Sequence, residues 1–133
     1  MIEELIMSHK ELDTIQDEFD INKPYESCGV LIGTIHGNTA NVEKAIPITN
    51  IKRTRVSFEL DPMQFYDTWN SASKDGKEIV GIFHTHPSHS ATPSSWDRET
   101  MENYPSVWLI AGTNGMMAYI LDGNIRSVKL NIK

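Results

Sequence analysis

The 133-residue sequence has little cysteine and no long hydrophobic run. Its one cysteine, Cys28, excludes an intrachain disulfide and therefore a disulfide-stapled secreted scaffold. No apolar stretch approaches the ~20 residues that a membrane-crossing helix needs, and no basic segment followed by a long apolar one opens the chain. We therefore expect a protein that has no membrane partner and is located in the cytoplasm.

Basic residues are also scarce, since 12 Lys and Arg stand against 18 Asp and Glu and give a formal net charge of −6. Nucleic-acid binding requires clustered Lys and Arg that neutralise phosphates. The only dense basic cluster, Lys52, Arg53 and Arg55, is interpreted as a solvated loop beside a strand. The sequence therefore predicts no nucleic-acid partner.

The composition, 39% hydrophobic and 23% charged, is typical of a globular protein. The length suits one domain with one substantial core, so a single domain is predicted over residues 1–133. The sequence contains no internal repeat and no low-complexity segment. Nothing in it fixes the oligomeric state.

Capping signals, turn residues and hydrophobic periodicity predict alternating helices and strands. The side chains of Met63, Phe65, Tyr66 and Trp69 form an aromatic-rich stripe at helical spacing, which is interpreted as core rather than as a binding surface. Helices are predicted at 9–20, 61–74 and 94–103, and strands at 30–35, 40–48, 56–58, 78–83, 107–111, 116–121 and 125–132.

Potential metal ligands are concentrated directly after the strand predicted at 78–83. Because residues i and i+2 of an extended segment project to the same side, His84 and His86 can converge on one ion. Pro87 then turns the chain away, and Ser94 opens a helix whose first turn contains Asp97. Two imidazoles, a carboxylate and an open fourth position are the ligand set of catalytic zinc sites.

Each of these residues also has a simpler interpretation. Ser94 and Asp97 form a helix-capping pair in their own right, and a histidine at the end of a strand is often only solvated. The combination of His84, His86, Ser94 and Asp97 at this spacing favours a metal site over four unrelated residues.

The motif resembles the JAMM signature of the JAB1/MPN/Mov34 metalloproteases: His-Thr-His at 84–86, seven residues, Ser94, two residues, Asp97. The segment Pro24-Tyr25-Glu26-Ser27-Cys28-Gly29-Val30-Leu31-Ile32-Gly33 resembles the upstream glutamate motif of the same family. The similarity continues through 48–50, 58–65 and the closing strands, so that it covers nearly the whole chain.

The resemblance implies an α/β (α+β) fold with a curved, largely antiparallel β-sheet flanked by helices, of the MPN/JAMM and cytidine-deaminase-like type. It implies a Zn²⁺ ion bound by His84, His86 and Asp97, with Glu26 as the catalytic proton shuttle. It also implies that Ser94 stabilises the oxyanion. Thr85 is expected outside the coordination shell, and His89 and Ser90 are treated as loop residues.

The resemblance further implies a peptidase or isopeptidase that cleaves the amide bond after the C-terminal tail of a ubiquitin-like protein or sulfur carrier. That tail is expected to lie along a sheet edge. The main alternative is a catalytically silent MPN-type scaffold, but such members typically lack one or more of the five site residues present here. A nucleobase deaminase would need a Pro-Cys-x-x-Cys motif, which a chain with one cysteine cannot supply.

Overall fold

The computed structural model describes residues 1–104 and 106–133 and contains seven strands and three helices in these ranges. The helices are α1 (His9–Asn22), α2 (Pro62–Lys74) and α3 (Ser95–Thr100). The strands are β1 (Glu4–Met7), β2 (Cys28–His36), β3 (Thr39–Ile48), β4 (Glu78–Thr85), β5 (Val107–Gly112), β6 (Gly115–Asp122) and β7 (Asn124–Ile132).

The strands form a closed barrel in the order β1-β3-β2-β4-β5-β6-β7, and β7 pairs with β1 to complete it. Four neighbouring pairs are antiparallel: β2 with β3, β2 with β4, β5 with β6, and β6 with β7. The pairs β1–β3, β1–β7 and β4–β5 are parallel. The α+β class and the largely antiparallel, curved sheet flanked by helices are confirmed. The sheet is curved enough to close into a barrel.

The core consists of two apolar clusters on opposite faces of the strands, as the adjacent residues Ile82 and Phe83 of β4 show. Val80 and Phe83 join the cluster that contains Ile15 of α1. Ile82 joins the second cluster, which contains Phe58 and Trp108. A strand buried on both faces has its ends fixed by packing, so groups at the end of β4 are held rigidly.

The central strands bring the two distant sequence motifs together. Cys28, the first residue of β2, pairs with His84 of β4, and His84 pairs in turn with Ile110 of β5. At Gly29 a Cβ atom would lie 2.3 Å from the Phe83 ring, so only glycine allows β2 and β4 this close approach. The glutamate motif therefore lies beside the histidine motif although 58 positions separate Glu26 from His84.

Several predictions about single elements are wrong. The strand predicted at 56–58 is irregular, and only an isolated bridge between Asn50 and Leu60 remains. The helix predicted to reach Asn103 ends at Thr100. Strand β1 was not predicted, because four residues are too few to show a period. The pair Tyr104-Pro105, whose proline predicts the end of α3, includes Pro105, which lies outside the described residues.

The aromatic-rich stripe of α2 is mostly exposed, contrary to the prediction that it is core. Met63, Tyr66 and Trp69 are 68%, 57% and 48% exposed, and only Phe65 of the four packs against the core. The spacing identified the helix correctly but could not show which of these side chains meet the sheet.

The structure also bears on the expected sheet edge for a substrate tail and on the expected absence of a membrane-crossing helix. Each strand has neighbours on both sides in the barrel, so no whole strand is left as an edge for a substrate tail. Within the described residues, none of the helices combines the length and apolar character that crossing a membrane requires.

Candidate metal centre

The two histidines converge at the end of β4. His84 is the penultimate residue of the strand and His86 follows its last residue. Their Nε2 atoms are 3.1 Å apart, and both side chains are almost fully buried. Phe58 stacks on the His84 ring, with centroids 4.6 Å apart and an interplanar angle of 26°, and so fixes the plane of that imidazole.

Asp97 reaches the same point from the first turn of α3. Its Oδ1 lies 3.1 Å from His84 Nε2, and its Oδ2 lies 3.0 Å from His86 Nε2. Asp97 is held by a reciprocal cap, because the Ser94 N–H donates to Asp97 Oδ2 while the Asp97 N–H donates to Ser94 Oγ. The capping interpretation and the site interpretation of this pair are therefore compatible, since one carboxylate serves both.

The loop after β4 fixes the tautomer of His86. His86 Nδ1 lies 2.9 Å from the Ser90 carbonyl oxygen, which can only accept, so Nδ1 carries a proton, and in the neutral imidazole Nε2 presents its lone pair to the site. Ala91, the next residue, is secured on both sides: its N–H donates to Asn114 and its carbonyl accepts from the Tyr119 hydroxyl.

The pKa values of the three clustered side chains shift in different directions. Burial lowers the pKa of His84 despite the opposing effect of Asp97. Burial also acts to lower the pKa of His86, but the bonds to Asp97 and to the Ser90 carbonyl outweigh it and leave that pKa raised. Burial favours the neutral form of Asp97, yet the hydrogen bonds from both histidines hold the pKa of its carboxyl well below the usual range. Asp97 is therefore ionised at neutral pH, as a metal ligand must be.

Glu26 faces this group from the segment before β2. Ligand-capable atoms of Glu26, His84 and His86 all lie within 4.8 Å of one another. The carboxyl is 3% exposed, and its Oε1 has no hydrogen-bond partner among the described residues. Burial raises the pKa of Glu26 to about 8, with His86 opposing and Asp97 adding to the rise.

The side chains of His84, His86 and Asp97 are better placed to bind a divalent cation than to hydrogen-bond to one another. Since His86 Nε2 and the Asp97 carboxylate oxygens are all acceptors, their 3.0 Å contact lacks a proton between them unless His86 is charged. Ligands held ~2.0 to 2.1 Å from a tetrahedral ion lie roughly 3.3 Å apart, close to the separations found here. The residues present can therefore hold a metal.

A cleft of about 280 Å³ opens beside the cluster and is lined by Glu26, Val56, His86 and Ser94, among others. His89 and Ser90 also line it, so these two residues border the site rather than only continuing the loop. The Ser94 hydroxyl accepts from the Asp97 N–H, which leaves its own proton free to donate.

Sequence reasoning missed three residues that support the site. Phe58 was assigned to a strand, Asn50 was noted only as part of a similar stretch, and Thr85 was given no partner. Thr85 Oγ1 accepts from the Ser27 N–H at 2.8 Å. Short-range patterns carry no signal for such bonds, because their partners are distant in sequence.

The description "Prokaryotic homologs of the JAB domain" belongs to a family model that matches residues 6–123. A desampylase of Haloferax volcanii is 36% identical over 95 residues, which are 71% of this chain and 67% of that protein. A probable TtuB-protein conjugate cleaving protease of Thermus thermophilus is 29% identical and covers 74% and 63%. A CysO-cysteine peptidase of Mycobacterium tuberculosis is 28% identical and covers 82% and 77%.

The solution structure of protein DSY2949 from Desulfitobacterium hafniense superposes with a TM-score of 0.89 and covers 97% of this chain and 92% of that one. The two sequences are 21% identical, so this likeness concerns the fold.

Proposed function

Because the family match spans residues 6–123, the chain belongs to the prokaryotic JAB family, and we propose that it is a zinc-dependent peptidase or isopeptidase. The observation that carries the proposal is the convergence of His84, His86 and Asp97 to 3.0–3.1 Å beside a buried glutamate and an open cleft. A scaffold without catalysis has no need of this arrangement.

The proposed ligands are His84, His86 and Asp97. All three are buried, and the tautomer of His86 already presents its Nε2 lone pair to the site. Zinc bound by such a set supplies a Lewis acid and makes a water molecule acidic enough to attack at neutral pH.

The proposed proton shuttle is Glu26. A carboxylate in this role takes a proton from the attacking water and delivers it to the nitrogen of the leaving amine, so that the C–N bond breaks without expelling an amide anion. Its position within 4.8 Å of the two imidazoles suits this transfer, and its Oε1 has no competing hydrogen-bond partner among the described residues. A divalent cation bound beside it would favour the ionised carboxylate that this role needs.

Ser94 is the proposed donor to the oxyanion. Its hydroxyl proton is not used by the helix cap, and the residue lines the cleft together with Glu26 and His86. A donor fixed in advance at this place stabilises negative charge where it develops on the carbonyl oxygen.

The proposed substrate is a ubiquitin-like protein or sulfur carrier joined by an amide bond at its C-terminal tail. The names of the relatives support this, since they include a protein-conjugate cleaving protease and a CysO-cysteine peptidase. The tail is proposed to lie in the cleft between Val56 and Ser94, because the closed barrel leaves no whole strand as an edge. Cys28, a free and buried thiol, agrees with action in a reducing compartment such as the cytoplasm.

The decisive experiment incubates the zinc-loaded protein with three fusions of each ubiquitin-like protein of the host: a linear peptide, a lysine isopeptide and a single amino-acid adduct. We expect release from at least one fusion, its loss with a chelator, and its recovery when zinc is restored. Tight binding of the tails without cleavage by the zinc-loaded protein would instead establish the scaffold. Comparison of the three fusions identifies the bond.

A further inference from the structure

Glu26 stands outside regular secondary structure, two residues before β2 begins at Cys28. A proton shuttle must nevertheless be placed to within a fraction of an ångström. Both backbone polar groups of Glu26 bind the irregular segment 50–60: its N–H donates to the Thr54 carbonyl at 3.0 Å, and its carbonyl accepts from Asn50 Nδ2 at 2.9 Å.

The Asn50 side chain organises that segment and fastens it to Glu26 at the same time. Its Oδ1 accepts from the Lys52 N–H at 3.1 Å and from the Glu59 N–H at 3.0 Å. Its Nδ2 donates to the carbonyls of Glu26 and Ser57. Asn50 is buried, and the bonds use the donors and acceptor of the amide fully.

The same segment reaches the other side of the cluster, because its Phe58 stacks on His84. One irregular stretch, shaped by one amide, therefore contacts the backbone of Glu26 and the ring of His84. The contact with His84 is apolar, and Phe58 is also held by Trp96 and Trp108, which are packing contacts that Asn50 does not make. Loss of the Asn50 side-chain amide would therefore remove a direct bond to the Glu26 backbone, whereas His84 would keep its place in β4 beside Cys28.

We propose that Asn50 is a positioning residue that fixes Glu26 relative to the imidazoles of His84 and His86 by clamping its backbone to segment 50–60. The predicted effect on catalysis rests on the proposed function, whereas the attachment of the Glu26 backbone to segment 50–60 does not. Asn50 touches neither the candidate ligands nor the space of the cleft, so its effect on the reaction passes through Glu26.

The test compares Asn50→Ala and Asn50→Asp with the wild-type protein. Asn50→Asp keeps the acceptor for Lys52 and Glu59 but loses the donor to Glu26. We expect both variants to lose about 10²-fold in kcat, as a displacement near 1 Å does, with KM changed less than about threefold. Zinc affinity, measured by calorimetry, should stay within about threefold, while the Glu26 amide should exchange its hydrogen faster.

A matched control separates positioning from general loss of stability. Val128→Ala removes packing in β7, remote from segment 50–60, and should lower the melting temperature without changing kcat or the exchange of the Glu26 amide. Unchanged exchange in Asn50→Ala, or a loss of zinc affinity parallel to the loss of kcat, would overturn the inference. If the wild-type protein cleaves no fusion but the Glu26 amide still exchanges faster in Asn50→Ala, the clamp stands and the proposed function fails.

Discussion

The Ser27 N–H donates to Thr85 Oγ1 across 2.8 Å, which joins the segment of Glu26 to the residue between the two site histidines. The Ser27 hydroxyl lies 3.0 Å from Thr85 Oγ1 and donates its own proton to the Glu18 carbonyl. The Thr85 hydroxyl must therefore donate to Ser27 Oγ. This buried chain of hydroxyls connects α1, the start of β2 and the end of β4.

Replacing Thr85 by valine should destabilise the protein. Thr85→Val keeps the shape of the side chain but leaves the buried Ser27 N–H without an acceptor, which costs about 1 to 3 kcal/mol. Thr85→Ser retains the hydroxyl and should recover most of that loss. Denaturant unfolding of the zinc-free proteins measures both, and equal stability of Thr85→Val and the wild type would contradict the hydroxyl chain.

Glu26→Gln should abolish hydrolysis and leave zinc binding and the fold intact. The substitution preserves shape but removes the group that accepts and returns the proton. Product release and zinc calorimetry on the same preparation test this. Full activity of the variant would remove Glu26 as the shuttle.

The same variant makes a prediction about pH in the metal-free protein. The pKa of Glu26 is raised to about 8 from an ordinary value of 4.5, so the folded state holds a proton that the unfolded state releases. The wild type should therefore lose stability relative to Glu26→Gln as pH rises from about 4.5 to about 8. Unfolding curves of both proteins across this window measure the difference, and parallel stability profiles would show that the Glu26 carboxyl is not desolvated.

Ser94→Ala should lower kcat by ~10² to 10³, because an oxyanion donor is lost. It should also cost about 1 kcal/mol of stability through loss of the helix cap. Ser8 offers a control, since its hydroxyl donates to the Glu11 carboxylate in the first turn of α1 and does not line the cleft. Ser8→Ala should also reduce stability but leave kcat unchanged. Equal effects of the two variants on kcat would show that Ser94 acts only as a helix cap and not as the oxyanion donor.

Cys28 should resist thiol reagents in the folded protein. Burial, with smaller contributions from the charges of Glu26 and Glu18, raises the pKa of its thiol to about 12. The reactive thiolate is therefore scarce at pH 8, and the side chain is fully buried. Labelling at pH 8 should proceed at the rate of unfolding and become fast in denaturant; rapid labelling of the native protein would contradict this assignment.

Local signals predicted much of the fold because they act within a few residues. The helix starts at Ser8, Asp61 and Ser94 follow from capping chemistry, and the hairpin turns at 36–38 and 122–124 follow from glycine. The failures lie where long-range contacts decide the backbone. Residues 56–58, which were predicted as a strand, are irregular in a segment that binds Glu26 and His84.

The sequence by itself determined the chemistry of the candidate site: His84, His86 and Asp97 are close in the chain, so spacing alone shows that they can meet. Only the tertiary structure decided how Glu26 approaches them, that the sheet closes into a barrel, and that Met63, Tyr66 and Trp69 are exposed. The physical reason is that spacing fixes the direction of a side chain within one element. The partner that each face meets depends on strand register and packing across the whole chain.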